Sequence, residues 1–242
     1  MGNQQIDERF VGFFDMLGMS EMSLQDPGVA WGALSDLAAA KDRILNLEIK
    51  ILRTNEVIRD RVRAFMFSDS IVVFTKSNQL ADTYAIVILC SELFSSALHA
   101  CVPLRGAIAY GRFLFNIEQN LFAGPPLVSA YRLSEDAQWL GIRVDNVVAK
   151  KANAIPLLSE RNNPVIVDFE VPTKSGGLAK SAVIDWVEVH RNNFTVQPPL
   201  TAEQFYEAFK SMFGSYTELP VSVQNKYENT VAFVNERLLV TG

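Results

Sequence analysis

The chain has 242 residues, of which 49% are hydrophobic and 20% charged, the balance of an ordinary globular protein and not of a disordered or repetitive one. At about 150 residues per domain the length allows one to two domains, and a chain of this size buries roughly 70–75% of its unfolded surface, so it needs no disulfide staple. A net charge of −5, from 22 basic and 27 acidic residues, lacks the basic footprint of a phosphate-backbone binder. Nucleic acid is therefore not expected as a main partner, while a small anion is compatible with this balance, since a few local cations can hold a triphosphate.

The first residues, Met1-Gly-Asn-Gln-Gln-Ile-Asp-Glu-Arg9, show no basic start followed by an apolar run, so no signal peptide is expected. Arg9-Phe-Val-Gly-Phe-Phe-Asp15 reads as a first strand, apolar almost without a break and so buried on both faces, ending at a turn that contains Gly18. From Asp26-Pro27 to about Glu56 the apolar residues recur at threes and fours, which predicts a long helix capped by Asp26. Val62–Phe67 and Ile71–Thr75 are strand-like runs separated by Ser68-Asp69-Ser70, a hairpin with a tight polar turn. Residues 78–100 predict a second long helix. The most apolar long stretch, 84–102, carries Ser91, Glu92, Ser95, Ser96 and His99, too polar for a bilayer span. A cytoplasmic protein with no membrane partner is the expectation.

Leu104–Tyr110 reads as a third strand, and Phe113–Phe115 with Leu121-Phe122 as a short hairpin. Pro125-Pro126 open a helix running to about Trp139, because proline is tolerated in a first turn. Gly141–Val144 reads as a strand, 146–152 as a short helix, and 164–168 and 182–187 as late strands joined through Lys174-Ser-Gly-Gly177. Beyond His190 two helical stretches follow, about 202–213 and 221–239, in which Phe205, Phe209, Met212 and Phe213 recur at the spacing of a packed helix face. The order predicts an α/β (α+β) sandwich: one mixed sheet, long helices on one face, a domain over 1–190 and a helical extension over 191–242 packed on it.

Most polar features read as structural. Cys90 and Cys101, eleven residues apart, face different sides of the predicted helix and are expected as reduced thiols. Arg53, Arg59, Arg61 and Arg63 read as a solvated edge, His99 and His190 as structural, Asp168 and Asp185 as strand punctuation. Gly176-Gly177 lacks the spacing of a phosphate-binding P-loop.

Two carboxylates stand out together. Asp15 closes the first strand and Asp69 sits at the hairpin tip. If strand and hairpin are neighbours, the two meet at one sheet edge. They would repel there unless a divalent cation lies between them, with substrate phosphates completing its oxygen shell.

These residues resemble the class III nucleotide cyclases. Phe13-Phe14-Asp15-Met16-Leu17-Gly18 is similar to their F-x-D-[IV]-x-G signature, Phe67-Ser68-Asp69-Ser70 to their second metal-aspartate hairpin, Gly106–Gly111 to their glycine-containing strand, and Gly124–Leu133 to their G-x-x-V-N-x-A-x-R-L helix. The resemblance spans roughly residues 9 to 190. It implies a homodimer with sites at the interface, two Mn²⁺ or Mg²⁺ ions per site, and formation of a 3′,5′-cyclic nucleotide from a nucleoside triphosphate. It further implies metal ligation by Asp15, Asp69 and the Met16 carbonyl, transition-state stabilisation by Arg132, and substrate contacts from Phe14, Phe65, Ser129 and Lys174. The chain departs from the family where the asparagine falls on Val128, a base-reading lysine on Phe65, and a base-reading Asp or Thr on Pro125. Lacking these polar purine readers, it looks like the pyrimidine cyclases of the Pycsar antiphage system. That likeness implies UTP in preference to CTP, cyclic UMP as product and a separate cyclic-nucleotide-responsive effector. A purine cyclase and a degenerate, non-catalytic nucleotide-binding protein of the same fold are the alternatives.

Overall fold

The computed structural model describes residues 7–51, 55–155, 157–189 and 199–240. The expected first strand is β1, Asp7–Met16, inside an eight-stranded sheet. Its neighbours are β5, Ser70–Thr75, and β6, Leu104–Asn116, both antiparallel to it. Cover on both faces explains its unbroken apolar run. Phe10 and Phe14 enter the larger core, while Val11 and Phe13 belong to a smaller aromatic core on the opposite face. By the strand's period of two, Asp15 shares the face of Val11 and Phe13.

The hairpin forms as expected from β4, Val62–Phe67, and β5, closed by Ser68 and Asp69, with Ser68 at φ 53°. The sheet order is β4-β5-β1-β6-β8-β10-β9, with β8 at Ile142–Val144, β9 at Ile166–Pro172 and β10 at Leu178–Ile184. β7, Leu121–Ala123, folds back on the end of β6. The β6–β8 pair is parallel and the others in this sheet antiparallel, so the sheet is mixed, as expected. Gly106 in β6 lets Phe14 lie across the strand, because a Cβ there would meet the Phe14 ring at 2.4 Å.

The long helices α2, Pro27–Leu45, and α3, Leu80–His99, bury their apolar residues in the larger core on one face. Asp26 caps α2, accepting from Gly28 N at 2.8 Å and Val29 N at 3.2 Å, with Pro27 in the first turn. Among the described residues, α3 alone is long and apolar enough to cross a membrane, and it is mostly buried as a core helix. The shorter α4, Pro125–Asp136, covers the other face, where Leu127 packs on Val72, Phe74 and Phe113.

Several local expectations change: the strand expected over 182–187 ends at Ile184, with Trp186 and Val187 helical, and the helix expected to about Trp139 ends at Asp136. A short helix α1, Met19–Gln25, follows β1, burying Met19 and Met22. The helix expected to reach Glu56 stops at Leu45, and β2, Ile49–Lys50, pairs with β3, Val57–Ile58. Leu47, Ile49 and Ile51 alternate with polar residues at period two, yet Ile44, Leu47 and Ile51 also satisfy helical spacing, and the β-branched alternation wins.

After α5, Asn146–Asn153, and α6, Trp186–Val189, the C-terminal residues form α7, Ala202–Tyr206, α8, Lys210–Phe213, and α9, Val221–Val240. Tyr206, Phe209, Tyr227 and Phe233 join the same core as the sheet, and Phe205, Met212 and Phe213 pack against it. α9 is tied down by Asn229 Nδ2 donating to Gln138 O at 2.7 Å and Leu140 N donating to Thr230 Oγ1 at 2.8 Å.

Both cysteines are free thiols, and burial pushes the Cys90 thiol up. His99 Nδ1 bonds Ser95 O within its own helix at 3.0 Å. Arg59, Arg61 and Arg63 engage Glu48, Gln79 and Asp60 on the solvated edge. Arg53 and His190 lie outside the described residues. Asp168 pairs with Lys180 at the surface. Gly176, at φ 83°, lies in the turn between β9 and β10.

Candidate active site

Strand register places Asp15 between Ser70 and Arg105. Ser70 Oγ donates to Asp15 Oδ1 at 3.3 Å, and Arg105 Nη2 donates to Oδ2 at 3.1 Å. Asp69 precedes Ser70 in the turn, and its carbonyl accepts from Met16 N at 3.0 Å, tying the hairpin tip to the end of β1. Leu17 N, donating to Pro103 O at 2.9 Å, fixes the other flank. Asp15 and Asp69 therefore stand at one end of the sheet and feel one another. Burial lifts the Asp15 carboxyl above its ordinary value, the Arg105 charge pulls it back, and the Asp69 charge pushes it further up.

Sequence reading passes over Arg105, the residue that organises this end. It is 6% exposed. Its Nη2 also donates to Glu135 Oε1 of α4, whose Oε2 accepts from Lys174 Nζ at 2.7 Å. Asp15, Arg105, Glu135 and Lys174 thus form a line of alternating charge from β1 to the β9–β10 turn. The available signal was a lone arginine in the apolar run 104–109, since a buried guanidinium requires a carboxylate. Lys226 of α9 reaches the same region. Burial and the charges of Arg105 and Lys174 hold its ammonium below the ordinary lysine range, and Asp15 and Glu21 offset part of this.

The other expected residues divide. Ser129 and Arg132 lie on the exposed face of α4 with Val128, which is 48% exposed. Asp136 is paired with Arg143 at 3.2 Å and Glu135 with Arg105 and Lys174, and no salt bridge to Arg132 forms among the described residues. Phe65 stands on the α4 side of the sheet, its ring stacked on Phe74 at 5.9 Å and tilted against Phe122 at 5.0 Å. Phe14 departs from its expected substrate contact: it is fully buried in the larger core, under Gly106, on the face opposite Asp15. Its neighbour Phe13 faces α4 instead, edge-on to Tyr131 at 5.3 Å. Phe13, Phe67, Val72, Phe122, Val128 and Tyr131 line an open apolar groove of about 470 Å³ beside α4.

The donor set suits a hard divalent cation. Asp15 and Asp69 offer carboxylate oxygens and the chain end of β1 offers the Met16 carbonyl, while no group of three or more His, Cys, Asp or Glu side chains forms a complete cage among the described residues. Two carboxylates without a cage is the arrangement in which phosphate oxygens and water finish the coordination of Mg²⁺. The mutual repulsion of the pair is the physical reason a cation is welcome there.

No family model matches the chain, and a search of curated proteins finds no match. Among solved structures, the chain is similar to the catalytic core of a rhodopsin-guanylyl cyclase with converted specificity, in complex with ATPαS. The TM-score is 0.54 and the identity 12%, over 74% of this chain and 95% of that one. The likeness shows a shared fold, the mixed sheet with long helices on one face that the motifs led us to expect.

Proposed function

We propose that the chain is a divalent-metal-dependent nucleotide cyclase that converts a pyrimidine nucleoside triphosphate, UTP in preference to CTP, into its 3′,5′-cyclic monophosphate and pyrophosphate. The observation that carries the reading is the placement of Asp15 and Asp69 at one sheet end, electrostatically coupled and backed by Arg105, which Glu135 links to Lys174, within a cyclase-like fold. The reaction joins the ribose 3′ oxygen to the α-phosphorus and breaks the bridge to the β-phosphate, with the hydroxyl proton passing to solvent. Two Mn²⁺ or Mg²⁺ ions held by Asp15, Asp69 and the Met16 carbonyl would supply charge neutralisation and a more acidic 3′-hydroxyl.

The chain's own residues do the rest. Ser70 and Arg105 fix the Asp15 carboxylate from both sides; Lys174, whose ammonium Glu135 holds in the absence of substrate, would turn to the phosphates when they bind. Arg132 meets charge developing on the α-phosphate. On its own chain it points outward beside Val128 and Tyr131, each 48% exposed, so it serves the site of a second copy docked on this face. A homodimer closing over the apolar groove supplies that arrangement. Phe65, packed among Phe74 and Phe122, presents no amine to a purine, and Ser129 is the polar group nearest the position of the family's asparagine. In this reading residues 1–190 form the catalytic domain of a cytoplasmic enzyme. Its product is the antiphage signal read by a separate effector.

Purified protein incubated with Mn²⁺ and each labelled ribonucleoside triphosphate should yield a phosphatase-resistant product from UTP, with CTP second. Product from ATP or GTP alone would overturn the base assignment. Val128 favours a second reading, a nucleotide-binding protein of the same fold without turnover. That reading gains if all four nucleotides stay unchanged while the chain remains folded.

A further inference from the structure

The aromatic residues of the C-terminal extension do not all pack the same way. Phe205 and Phe209 turn to Tyr227 of α9, with ring centroids at 6.4 and 5.6 Å. Phe213, at the end of α8, lies instead on the turn that follows Asp15. A Cβ on Gly18 would stand 2.9 Å from its Cε1 and 3.4 Å from its Cδ1, so the ring rests on bare backbone. Gly18 is at φ 80° and opens α1, whose first bond is Met22 N donating to Gly18 O at 3.0 Å. The position asks for glycine twice, for its left-handed backbone and for the ring above it.

The ring is held from behind. The buried Tyr206 donates its hydroxyl to Gly214 O, next to Phe213, at 3.0 Å, and its own ring stands edge-on to Tyr227 at 4.8 Å. α9, which carries Tyr227, is tied in turn to Gln138 and Leu140 by Asn229 and Thr230. On the site side, Met16 N donates to Asp69 O and Leu17 N to Pro103 O. The turn from Met16 to Gly18 is thus gripped by the hairpin tip, by the residue before β6 and by Phe213. We propose that Phe213 is a positioning residue for the divalent ions: by fixing Gly18 it fixes the Met16 carbonyl, two residues back, and sets the Asp15 carboxylate against Asp69. This assignment rests on the cyclase reading above.

Coordination chemistry makes such a support matter. Mg²⁺ demands oxygens near ideal octahedral positions at about 2.0–2.1 Å. The chain offers two carboxylates and one carbonyl there, with no group of three or more His, Cys, Asp or Glu side chains among the described residues to share the load. A turn free to shift by a fraction of an ångström loses that geometry. Groups that orient a metal's ligands without touching the metal are typically worth about ten- to hundredfold in its affinity. A ring lying flat on a glycine suits this task, because it restrains the backbone itself and has no polar atom to compete for the ion. The C-terminal extension is then part of the metal site, and its packing on Gly18 sets how tightly the ions are held.

The test titrates the full chain with Mn²⁺ alone, counting the free ion by its electron paramagnetic resonance signal, and follows amide hydrogen exchange at Met16 and Leu17. Phe213→Ala should weaken Mn²⁺ binding about tenfold and speed exchange at both amides. Phe205→Ala makes the same truncation at a ring that is likewise partly buried but lies against Tyr227. It should leave Mn²⁺ affinity and both amides near wild type. Phe213→Leu and Phe205→Leu repeat the comparison with milder changes should an alanine variant fail to fold. Asp69→Ala should abolish Mn²⁺ binding, which identifies the ion counted as the one at this site. Either readout unchanged in the Phe213 variant, or moved equally by the Phe205 variant, overturns the positioning role and leaves the cyclase reading intact. A wild-type chain that binds no Mn²⁺, or one that binds it as well without Asp69, overturns both.

Discussion

Asp15 and Asp185 are two aspartates in nearly the same dress. Each is raised above its ordinary value first by burial, each is pulled back by an arginine, and each has a further carboxylate near enough to push it up. Their surroundings differ. Asp185 is fully buried; its Oδ2 accepts from Arg237 Nε at 2.7 Å and its Oδ1 from the amide of Glu188 at 3.0 Å. The neighbouring Glu188 is itself engaged by Ser159 and Asn163. Asp15 is partly open, one residue-pair from a hairpin tip whose Asp69 has no ion-pair partner among the described residues. A buried aspartate beside an arginine is thus not a functional signature. What separates the sites is a second carboxylate without a counter-ion and a path to solvent.

Substitution at the two sites should split activity from stability. Asp69→Ala is expected to cut cyclase turnover by at least about a thousandfold, roughly 4 kcal/mol of transition-state stabilisation, with a melting temperature near wild type. Substantial turnover in Asp69→Ala would remove Asp69 from the metal site. Asp185→Ala should do the opposite. It removes the buried 2.7 Å ion pair with Arg237 and the cap on the Glu188 amide and costs about 3–5 kcal/mol in urea unfolding, while turnover per folded molecule persists. Equal stability of Asp185→Ala and wild type would show that the tail is not anchored through this pair.

The smallest effect is in the pH dependence. A carboxyl raised on folding binds its proton more tightly in the native than in the unfolded chain. Stability therefore falls as pH climbs from the ordinary aspartate value of 3.8 through the raised one. Asp69→Asn removes one of the causes that lift Asp15, so this decline should be shallower than in wild type. It should steepen again only if Arg105, which lowers Asp15, is also removed. Urea midpoints across the acid range measure it, and parallel curves for wild type and Asp69→Asn would mean the two carboxylates do not sense each other.

Much of this was legible in the residues, and the failures have definite causes. The hairpin at Ser68-Asp69 and the capped start of α2 at Asp26 follow from local turn and cap chemistry, which needs no tertiary partner. The pairing of Asp15 with the hairpin needed only that neighbouring strands be adjacent in the sheet. Phe13 and Phe14 could not be told apart, because a central strand is apolar on both faces and only the packing of Gly106 and α4 reveals which ring enters which core. Residues 47–51 satisfied two periodicities at once. Arg105 escaped notice because its meaning lies in contacts 30 and 90 positions away along the chain, to Glu135 and Asp15.

The central claim is that Asp15 and Asp69 together hold the two-cation site facing the substrate phosphates. Anomalous diffraction from crystals grown with Mn²⁺ and a non-hydrolysable UTP analogue tests it most directly. The account predicts two manganese peaks between the carboxylates and the analogue's phosphates, at about 2 Å from their oxygens. A peak elsewhere, or carboxylate oxygens more than about 8 Å apart with the nucleotide bound, too far for shared ions at such bond lengths, would contradict it.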